Sequence, residues 1–567
     1  MSCRNPAADA PQRSSMTLRS PGPTPNYSEV DVLTWIFDDQ ASRYDGGKPL
    51  YINGANPEQK VSRDQLRILT RKIGHGLREL AGVKPGDVVL CAAQNHFHYP
   101  AIVFGIICAG AIFTGSGPAY TKFELMDLLK DCGARVIFAS AMTLPVVSEC
   151  AEELAIPKTH VFLIDGARDG YQGLEDLLAY EGQDWPRLST YQEAVSTTAA
   201  LVYSSGTTGL PKGCELTHWQ LVSHETSLLP SDRQLVAKPR NYGRKYVEPI
   251  SLGFPPFHRA FGLQIFIFAT SRLGQLTYIV EAPTFTDILD SIQKHRITHI
   301  YILPSIAVLL MKSPQVKDYD LSSIIQIACS GAPLGTEVAL AVEKIVDPDG
   351  SKNVRLCQAW GMSELGVATN FDIGDCDEET QRLSVGQLLA GVEAKIVDED
   401  GNEIKQGEPG EIWLKAPFLF KGYWKNPKAT ADAFTSEGWL KTGDIGKVDH
   451  RGMFFIVDRK KEMIKIQGSQ VAPAELEATL LLNPDVLDAA VIGVTSNEYG
   501  GEQPKAFIVR SNTDVTAASI HTWINERLAS FKHLTGGIKF VKSNPKNATG
   551  KILRSSLRAQ LPKLIAQ

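Results

Sequence analysis

The sequence lacks the features that mark several large classes of protein. Nine Cys in 567 residues, an odd total without a Cys-x-x-Cys pair, argue against a disulfide framework or a thiolate zinc site. A surplus of one charge is also missing, since 58 Lys and Arg face 63 Asp and Glu and leave a net charge of −5. A protein that binds nucleic acid through its phosphates normally has a basic surplus or a basic face. These absences favour a globular protein of a reducing compartment.

Long hydrophobic runs are absent as well. The longest, Tyr99–Phe113, is shorter than the ~20 residues that a membrane-spanning helix needs. Its small residues, with Gly105 and Gly110 among them, favour a core helix that runs into a buried strand.

Neither end of the sequence carries a recognisable address. Residues 1–27 contain no apolar run of the signal-peptide type, so we expect a disordered leader there, with Met1 or Met16 as the working start. The last residues before Gln567 lack the peroxisomal tripeptide Ser-Lys-Leu. We therefore expect a cytoplasmic protein.

The middle of the chain alternates between strand-like and helix-like runs, and its length predicts roughly three to four packed units. Between about residues 275 and 365 the predicted strands are Leu276–Val280, Ile297–Leu303, Ile324–Ala328 and Val354–Trp360, and the predicted helices are Phe285–Arg296 and Thr336–Val346. Such alternation predicts a largely parallel sheet covered by helices. From Val385 to Val457 short strands and Gly turns predict an antiparallel segment instead.

The chain after Asp458 has the size of a small domain. The predicted elements are a helix opened by Pro473, strands at Asp488–Gly493, Lys505–Val509 and Ile538–Val541, and a helix at Ala517–Phe531. We predict an α/β fold in which residues 28–457 form a large N-terminal body of helix-covered sheets with an antiparallel β subdomain. Residues 458–567 are predicted to form a small, mobile α+β cap.

A loop rich in Gly, Ser and Thr follows the apolar run that ends at Val202. The segment Tyr203–Gly213 offers backbone N–H groups, hydroxyls and the charge of Lys212 to an anion. Its spacing is not that of a Walker A loop, because Gly213 follows the Lys. On composition alone, an ordinary Ser/Gly loop remains an alternative to a phosphate-binding loop.

This loop resembles the signature of the adenylate-forming enzymes, which include acyl-CoA synthetases, the adenylation domains of peptide synthetases and firefly luciferase. Further matches follow in family order: Pro256–His258, Trp360–Glu364, Gly438–Asp444, Asp458–Glu462 with Gly468–Pro473, and Asn547–Lys551. Together they cover nearly the whole chain after residue 28. Lys421–Pro427 and Gln470–Glu477 are most similar to the branch of the 4-coumarate–CoA ligases and luciferase.

The resemblance implies an ATP-dependent acid–CoA ligase. Such an enzyme converts a carboxylic acid and ATP into an acyl-adenylate and pyrophosphate, and then transfers the acyl group to CoA with release of AMP. The site has to gather several anions, so it needs fixed cations and donors. The implied cofactors are ATP, Mg²⁺ and CoA. We expect the acid to be small, aromatic or of medium chain length, because Leu365 and Val367 suggest an apolar pocket.

The resemblance also assigns roles to individual residues around the nucleotide. Contacts to the phosphates are implied for Ser204, Ser205, Gly206, Thr207, Thr208, Lys212 and Ser363, and Mg²⁺ for Glu364. Residues implied around adenine are Gly331, Ala332, Gln358, Ala359 and Trp360, and those implied at the ribose are Asp444 and Arg459. Trp360 replaces the usual Tyr of the family, which keeps a stacking surface but loses the phenol hydroxyl.

Five further residues are implied in catalysis and in the CoA step. Lys551 is predicted to be the adenylation catalyst that bridges the carboxylate and the α-phosphate, and His258 to lie where the acyl pocket meets the adenylate. Lys461 matches the hinge position, while Gly468 and Lys465 would face CoA. Without the family context, the lysines among them would be interpreted as solvated surface residues. Arg259, next to His258, is expected to face solvent.

Three alternatives stay open. Within the superfamily, the acyl group could pass to a carrier protein in trans, or the protein could catalyse a luciferase-like oxidation. A third alternative is a nucleotide-binding protein without catalytic activity. The presence of Lys212, Glu364, Asp444, Arg459 and Lys551 argues against this last alternative.

Overall fold

The computed structural model describes residues 17–39, 45–204, 211–237, 248–352, 354–370, 378–466, 469–495, 502–547 and 550–565. The strands, in chain order, are β1 (Leu18–Arg19), β2 (Pro49–Asn53), β3 (Lys60–Ser62), β4 (Val88–Ala92), β5 (Ile112–Ser116), β6 (Val136–Ala139), β7 (Val161–Leu163), β8 (Gln172–Gly173), β9 (Thr198–Ser204), β10 (Lys212–Thr217), β11 (Ile250–Gly253), β12 (Leu276–Ile279), β13 (His299–Ile302), β14 (Gln326–Ser330), β15 (Leu356–Ala359), β16 (Gly361–Met362), β17 (Gly366–Val367), β18 (Thr369–Asn370), β19 (Gln387–Leu388), β20 (Glu393–Val397), β21 (Gly410–Lys415), β22 (Gly422–Tyr423), β23 (Leu440–Val448), β24 (Phe454–Arg459), β25 (Ile464–Ile466), β26 (Ser469–Val471), β27 (Val486–Thr495), β28 (Glu502–Arg510) and β29 (Ile538–Phe540).

The α-helices lie between these strands. They are α1 (Val32–Phe37), α2 (Arg63–Leu80), α3 (Tyr99–Cys108), α4 (Lys122–Cys132), α5 (Leu144–Glu153), α6 (Leu174–Leu178), α7 (Tyr191–Ser196), α8 (His218–Ala237), α9 (Ala260–Gly262), α10 (Thr270–Leu273), α11 (Phe285–His295), α12 (Pro304–Lys312), α13 (Thr336–Val346), α14 (Glu378–Leu383), α15 (Pro427–Ala433), α16 (Pro473–Leu481), α17 (Ala517–Asn525) and α18 (Arg554–Ile565). A π-helical turn, Leu263–Ala269, joins α9 to α10, and 3₁₀ turns lie at Lys158–His160, Pro314–Asp318 and Ser530–Lys532.

Two large sheets form most of the chain up to residue 370. One has eight strands in the order β22-β10-β9-β5-β4-β6-β7-β8, parallel from β9 to β8 and antiparallel at β10 and β22. The other has seven strands in the order β15-β14-β13-β11-β12-β2-β3, parallel except at β3. The predicted parallel sheet between residues 275 and 365 is therefore confirmed.

One strand of that sheet lies later in the chain than predicted. The strand expected at Ile324–Ala328 begins at Gln326 and ends at Ser330. Ile324 instead closes a turn, because its N–H donates to the carbonyl oxygen of Leu321 at 3.1 Å. This shift brings Ser330 to the end of the strand, directly before the predicted site residue Gly331.

The apolar run Tyr99–Phe113 forms the buried helix α3 and continues into the buried strand β5, as predicted. Every residue of α3 is buried, and the helix lies against α2. Among the described residues, no helix is long and apolar enough to cross a membrane.

A five-stranded antiparallel sheet, in the order β1-β20-β21-β23-β24, confirms the predicted change of architecture between Val385 and Val457. Its edge strand β1 contradicts part of the leader prediction. Leu18 pairs with Ala394, and Arg19 forms an ion pair with Glu393 at 2.7 Å. The prediction of disorder over residues 1–27 is therefore wrong for residues 18–20, whose backbone pairs with β20 and with Val392, and residues 1–16 lie outside the described part of the chain.

The C-terminal part has its own core under the three-stranded sheet β27-β28-β29. Leu476 and Leu480 of α16 pack with Ile520 of α17 in this core. The helix start predicted at Pro473 is confirmed. The helix predicted at Ala517–Phe531 ends earlier, at Asn525, and the extended backbone of Ala529 separates it from a 3₁₀ turn.

Several contacts join this C-terminal part to the rest of the chain. Lys312, at the end of α12, donates to the carbonyl oxygens of Asn483, at 3.3 Å, and of Val486. Gly550 approaches Ser305 so closely that a Cβ on Gly550 would lie 2.6 Å from the Ser305 Oγ. The loop that carries Lys551 is thus held against the start of α12.

Glycine at position 105 is required by the packing of α2 on α3, because a Cβ there would lie 2.6 Å from the Ile73 Cβ. In Gly105→Ala, overpacking costs about 1–3 kcal/mol, against which Ala gains ~1 kcal/mol over Gly in a helix, so we expect a net destabilisation of up to about 2 kcal/mol. Thermal unfolding measures the effect as a lower Tm. Gly22→Ala is the control, since its nearest contact would be 3.9 Å away. A Gly105→Ala variant as stable as the parent would contradict the packing argument.

Candidate active site

The predicted phosphate loop connects the end of β9 to the start of β10, two antiparallel neighbours. Ser204 ends β9 and Lys212 begins β10, and the Ser204 Oγ donates to the Lys212 carbonyl oxygen at 3.4 Å. The residues of the loop tip, Ser205, Gly206, Thr207 and Thr208, lie outside the described residues. The structure therefore places the two ends of the loop next to each other.

A tyrosine connects this loop to the predicted metal ligand. The Lys212 Nζ lies 4.9 Å from the centre of the Tyr423 ring, and the Tyr423 hydroxyl donates to the Glu364 Oε1 at 2.7 Å. Burial raises the pKa of Tyr423, and the Glu364 carboxylate raises it further, so the phenol remains a neutral donor. Sequence reasoning missed Tyr423 as a site residue, although it lies inside the matched segment Lys421–Pro427.

Ser363 and Glu364 lie in the turn of the small hairpin β16–β17. This hairpin is tight, because a Cβ on Gly361 would lie 2.9 Å from the Val367 Cα and because Gly366 has φ +96°. Glu364 is 8% exposed, and its second carboxylate oxygen is free of the Tyr423 bond. One carboxylate suits Mg²⁺, which usually binds to one or two carboxylates together with substrate phosphates. Within the described ranges, no group of three or more His, Cys, Asp or Glu could hold a metal without such help.

The residues predicted around adenine lie at the ends of the parallel neighbours β14 and β15. Ser330 pairs with Ala359, so Gly331 and Ala332 leave the sheet beside Trp360. Gly331 has φ +97°, a conformation in which Gly is favoured.

The side chain of Gln358 is occupied within the protein. Its Oε1 accepts from the Leu334 N–H at 2.8 Å, and its Nε2 donates to the carbonyl oxygens of Leu334 and Arg382 at 3.2 and 2.6 Å. The Gln358 side chain thus fixes the loop that follows Gly331. Only the backbone of Gln358 is left for the predicted contact with adenine.

Trp360, Asp444 and Arg459 form one connected group. The indole Nε1 of Trp360 donates to the Asp444 Oδ2 at 2.8 Å, and the Arg459 Nε lies 2.7 Å from the Asp444 Oδ1. Asp444 is only 3% exposed, so its charge needs these partners. Trp360 lacks the phenol hydroxyl of the usual family Tyr, but its indole N–H provides a polar contact, to Asp444, that the sequence did not predict.

His258 is buried at 4% exposure, and its Nε2 has no hydrogen-bond partner among the described residues. Its ring lies against Gly117, where a Cβ would be 3.2 Å from the His258 Cε1. Burial lowers the pKa of His258 well below its usual value, and the neighbouring Arg259 adds to this effect. The ring is therefore neutral.

The expectation that Arg259 faces solvent is wrong. Arg259 is partly buried, and its Nη1 donates to the Tyr203 carbonyl oxygen at 3.1 Å. It thus connects the His258 segment to the strand that leads into the predicted phosphate loop.

Lys551 lies in electrostatic reach of the Asp444–Arg459 pair. Burial lowers its pKa to about 8, and Arg459 lowers it in the same direction against the opposing effect of Asp444. Its loop is closed by Asn547, whose Oδ1 accepts from the Lys551 N–H at 2.9 Å and whose N–H donates to the Lys551 carbonyl oxygen at 2.9 Å. The fold thus brings Lys551 close enough to Asp444 and Arg459 for their charges to affect it.

A buried ion pair between Arg554, three residues after Lys551, and Glu477 fixes the chain that follows the Lys551 loop. Arg554 Nη2 donates to both carboxylate oxygens of Glu477, at 2.8 and 2.7 Å, and Arg554 Nε donates to the Val491 carbonyl oxygen at 3.2 Å. The side chains of both residues are about nine-tenths buried. Sequence reasoning missed this pair, and only the closeness of Arg554 to Lys551 could have drawn attention to it.

The remaining predicted residues follow β24. Lys461 is exposed, and its pKa is lowered to about 8 by partial desolvation and by the nearby charges of Arg459 and Lys551, against the opposing effect of Glu462. The Lys465 Nζ forms an exposed ion pair with the Glu399 Oε1 at 3.3 Å. Gly468 lies outside the described residues.

The chain matches two family models. Residues 37–424 match the family described as AMP-binding enzyme, and residues 475–551 match the C-terminal domain of the AMP-binding enzymes. Among curated proteins, a phenylacetyl-CoA ligase, epaB, of Aspergillus niger is 34% identical over 538 residues, which are 93% of this chain and 96% of that protein. A 4-coumarate–CoA ligase of Nicotiana tabacum is 34% identical over 521 residues, 91% of this chain and 92% of that protein.

Solved structures share the same fold. The ATP-bound crystal structure of MatB from Rhodopseudomonas palustris has a TM-score of 0.77 and 25% sequence identity, and the match covers 94% of this chain and 98% of that one. An anthranilate CoA ligase in complex with anthranoyl-AMP has a TM-score of 0.79 at 24% identity, with 96% and 99% of the two chains covered.

Two lysines of this site are expected to titrate well below the ordinary lysine value. Because their pKa values are lowered to about 8, Lys551 and Lys461 lose their charge as the pH rises through about 8. Amine modification followed by mass spectrometry should give apparent pKa values near 8 for both. Lys428 is the control, since Asp432 raises its pKa. Reaction of Lys551 only near its ordinary pKa of 10.5 would contradict the burial argument.

Proposed function

Because the chain belongs to the family of AMP-binding enzymes, we propose that it is an ATP-dependent acid–CoA ligase. It would join a carboxylic acid to ATP, release pyrophosphate, and pass the acyl group to CoA with release of AMP. The observation that carries this proposal is the convergence of Lys551 on the Asp444–Arg459 pair. Trp360, Asp444 and Arg459, which belong to separate motifs, are joined by a hydrogen bond of 2.8 Å and an ion pair of 2.7 Å, and Lys551 lies within electrostatic reach of them.

The phosphates of ATP would lie between the ends of β9 and β10 and the β16–β17 hairpin. Lys212 supplies positive charge there, and the hydroxyl of Ser363 supplies a donor. The Ser204 hydroxyl would also donate to phosphate if it exchanged its 3.4 Å bond to the Lys212 carbonyl oxygen for a phosphate oxygen. Glu364 would hold Mg²⁺ through the oxygen that Tyr423 leaves free, and the ion would neutralise phosphate charge. The bond from Tyr423 keeps the Glu364 carboxylate oriented without neutralising its charge.

The nucleoside would lie where β14 and β15 end, beside Asp444 in the middle of β23. Trp360 offers its indole face to adenine, beside the backbone of Gly331 and Ala359. Asp444 would accept hydrogen bonds from the ribose hydroxyls, because its carboxylate has further lone pairs beyond those used by Trp360 and Arg459.

Lys551 would bridge the acid and the α-phosphate. In the attack of the carboxylate on that phosphate, the ammonium reduces repulsion between two anions and stabilises the charge that develops. The neutral, buried His258 would close the site on the side of the acid. Arg554 and Glu477 position the Lys551 loop, since they join the start of α18 to α16.

The transfer to CoA requires Lys551 to leave. We infer that residues 458–567 turn as a cap against residues 28–457, with the hinge near Lys461. The contacts to be broken include the exposed pair Lys465–Glu399, and exposed pairs contribute at most about 1 kcal/mol. Lys465 and Gly468 would then face CoA.

Two relatives with names of CoA ligases of aromatic acids, each 34% identical over more than nine-tenths of this chain, support an aromatic acid as the substrate. They also favour CoA over a carrier protein in trans and over a luciferase-like oxidation. The set formed by Lys212, Glu364, Asp444, Arg459 and Lys551 opposes a protein without catalytic activity.

A panel of acids tests the proposal. The purified chain is incubated with ATP, Mg²⁺, CoA and aromatic, medium-chain or long-chain acids, and both pyrophosphate and the mass of the acyl-CoA are measured. We expect thioester formation with at least one aromatic acid. Adenylate without thioester, converted only when a phosphopantetheinylated carrier is added, would replace CoA by the carrier. Absence of pyrophosphate with every acid would contradict the proposed function.

The two half-reactions separate the role of Lys551 from a structural one. We expect Lys551→Ala to slow adenylate formation from acid and ATP by about 100-fold or more, as removal of one group that stabilises a transition state does. Formation of the thioester from pre-made acyl-adenylate should largely survive. Lys428→Ala, at an exposed site, is the control and should change neither step. Equal loss of both half-reactions in Lys551→Ala would contradict the assignment.

A further inference from the structure

Four buried polar side chains are grouped beside the β16–β17 hairpin, next to the candidate active site. Gln220, His224 and Glu225 belong to α8, and Gln264 belongs to the π-helical turn that packs against α8. None of the four is more than 1% exposed. Gln220 precedes His224 by four residues, so the two share a face of the helix. We call these four residues the polar cluster.

His224 has its hydrogen-bonding capacity satisfied within the protein. The Val367 N–H donates to the His224 Nε2 at 3.0 Å, so this nitrogen is an acceptor and the proton resides on Nδ1. Nδ1 lies 3.0 Å from the Glu225 Oε1, to which it donates. Phe418 packs edge-on against the ring, with 5.3 Å between the ring centres. These contacts at both ring nitrogens fix the His224 side chain within the cluster.

The other three members retain unused polar atoms. Both amide atoms of Gln264, both amide atoms of Gln220 and the Oε2 of Glu225 are buried and have no hydrogen-bond partner among the described residues. Buried polar atoms are nearly always paired in native proteins, so a group of unpaired ones calls for a ligand or another explanation. The cluster offers donors and acceptors together, without a Lys or Arg in it.

The Gln264 amide lies directly under the backbone of the hairpin. A Cβ on Gly366 would be 2.6 Å from both amide atoms of Gln264 and 2.6 Å from the His224 Nε2. The turn of the same hairpin carries Ser363 and Glu364.

The chain also connects the cluster to the proposed junction between acid and adenylate. His258 precedes Gln264 by six residues, and between them the helix changes to π-helical spacing, which is common at functional sites. The cluster thus lies next to the hairpin that is proposed to hold phosphate. Its member Gln264 lies on the segment that begins at His258, the residue proposed to contact the acid.

We propose that the polar cluster binds an uncharged hydroxyl group at the end of the acid remote from its carboxylate, with Gln264 as the residue that determines this specificity. The inference rests on the proposed function, since it concerns the acid that this function activates. A hydroxyl both donates and accepts, and it can therefore pair with the carbonyl oxygen and the NH₂ group of one amide. The substrate class is an acid with a phenolic or terminal hydroxyl, rather than a pure hydrocarbon acid.

The expected apolar pocket is thus polar at this side. Leu365 and Val367, which suggested it, are 0% and 4% exposed and belong to the large hydrophobic core. The side chains of Leu365 and Val367 pack into the core, while both amide atoms of Gln264 have no hydrogen-bond partner among the described residues.

Matched pairs of acids test the inference with the full-length protein. Phenylpropanoic acid is compared with its para-hydroxy derivative, and octanoic acid with its ω-hydroxy and ω-amino derivatives, by kcat/KM for pyrophosphate release. We expect the hydroxy acid of at least one pair to be preferred by about tenfold or more, because a site built to bond a hydroxyl discriminates against the analogue without it. Gln264→Met should remove this preference through loss on the hydroxy acid alone. Gln560→Met, at an exposed position of α18, should retain it.

The outcomes are distinguishable from failure of the proposed function. Absence of pyrophosphate with every acid contradicts the ligase itself, whereas turnover without preference for the hydroxy acids overturns only this inference. Preference for the ω-amino acid, or an equal loss on both members of a pair in Gln264→Met, also overturns it. If Gln264→Met does not fold, Gln220→Met replaces it, and the same loss of preference for the hydroxy acid is expected. Absence of this preference in the parent protein overturns the inference without any variant.

Discussion

The buried carboxylate of Asp444 is the interaction on which the arrangement of the site depends. A carboxylate that is 3% exposed is stable only with partners, and its partners come from separate parts of the fold. Trp360 follows the seven-stranded sheet and Arg459 ends the neighbouring strand of the antiparallel sheet, while the charge of Lys551, in the C-terminal part, is influenced by the same carboxylate. The hydrogen bond and the ion pair of this one carboxylate therefore join the two sheets at the position proposed for the ribose.

Charged side chains are also placed locally at the position proposed for the phosphates. The chain as a whole carries a net charge of −5, yet cations are placed where the triphosphate would lie. Lys212 is held over the ring of Tyr423, whose hydroxyl orients Glu364. Because burial and the neighbouring Arg459 lower the pKa of Lys551 to about 8, this lysine loses its charge at a lower pH than an ordinary lysine does. A bound anion would favour its protonated form, so nucleotide and lysine would stabilise each other.

Polar side chains near the position proposed for the acid are less completely hydrogen-bonded. Around the nucleotide, polar groups are largely paired within the protein, whereas Gln264, Gln220 and Glu225 keep unpaired atoms in a buried position. Such atoms are costly to bury without partners. Five of these unpaired atoms belong to Gln220, Glu225 and Gln264, beside the position proposed for the acid.

Local pattern was enough to predict much of this protein. The β–α alternation predicted the parallel sheet, Gly-rich turns predicted the antiparallel one, and short motifs predicted a phosphate loop and its distant partners, because residue types and spacing within a few residues determine strands, turns and loop chemistry. Contacts between distant residues could not be predicted in this way. The strand position of Leu18 depends on Ala394, the hydrogen bond of Trp360 on Asp444, and the partly buried position of Arg259 on Tyr203. Only the tertiary structure decided these, as it decided that Leu365 and Val367 pack into the core while Gln264 stays unpaired, because burial and pairing are properties of surfaces that meet in space and not of neighbours in sequence.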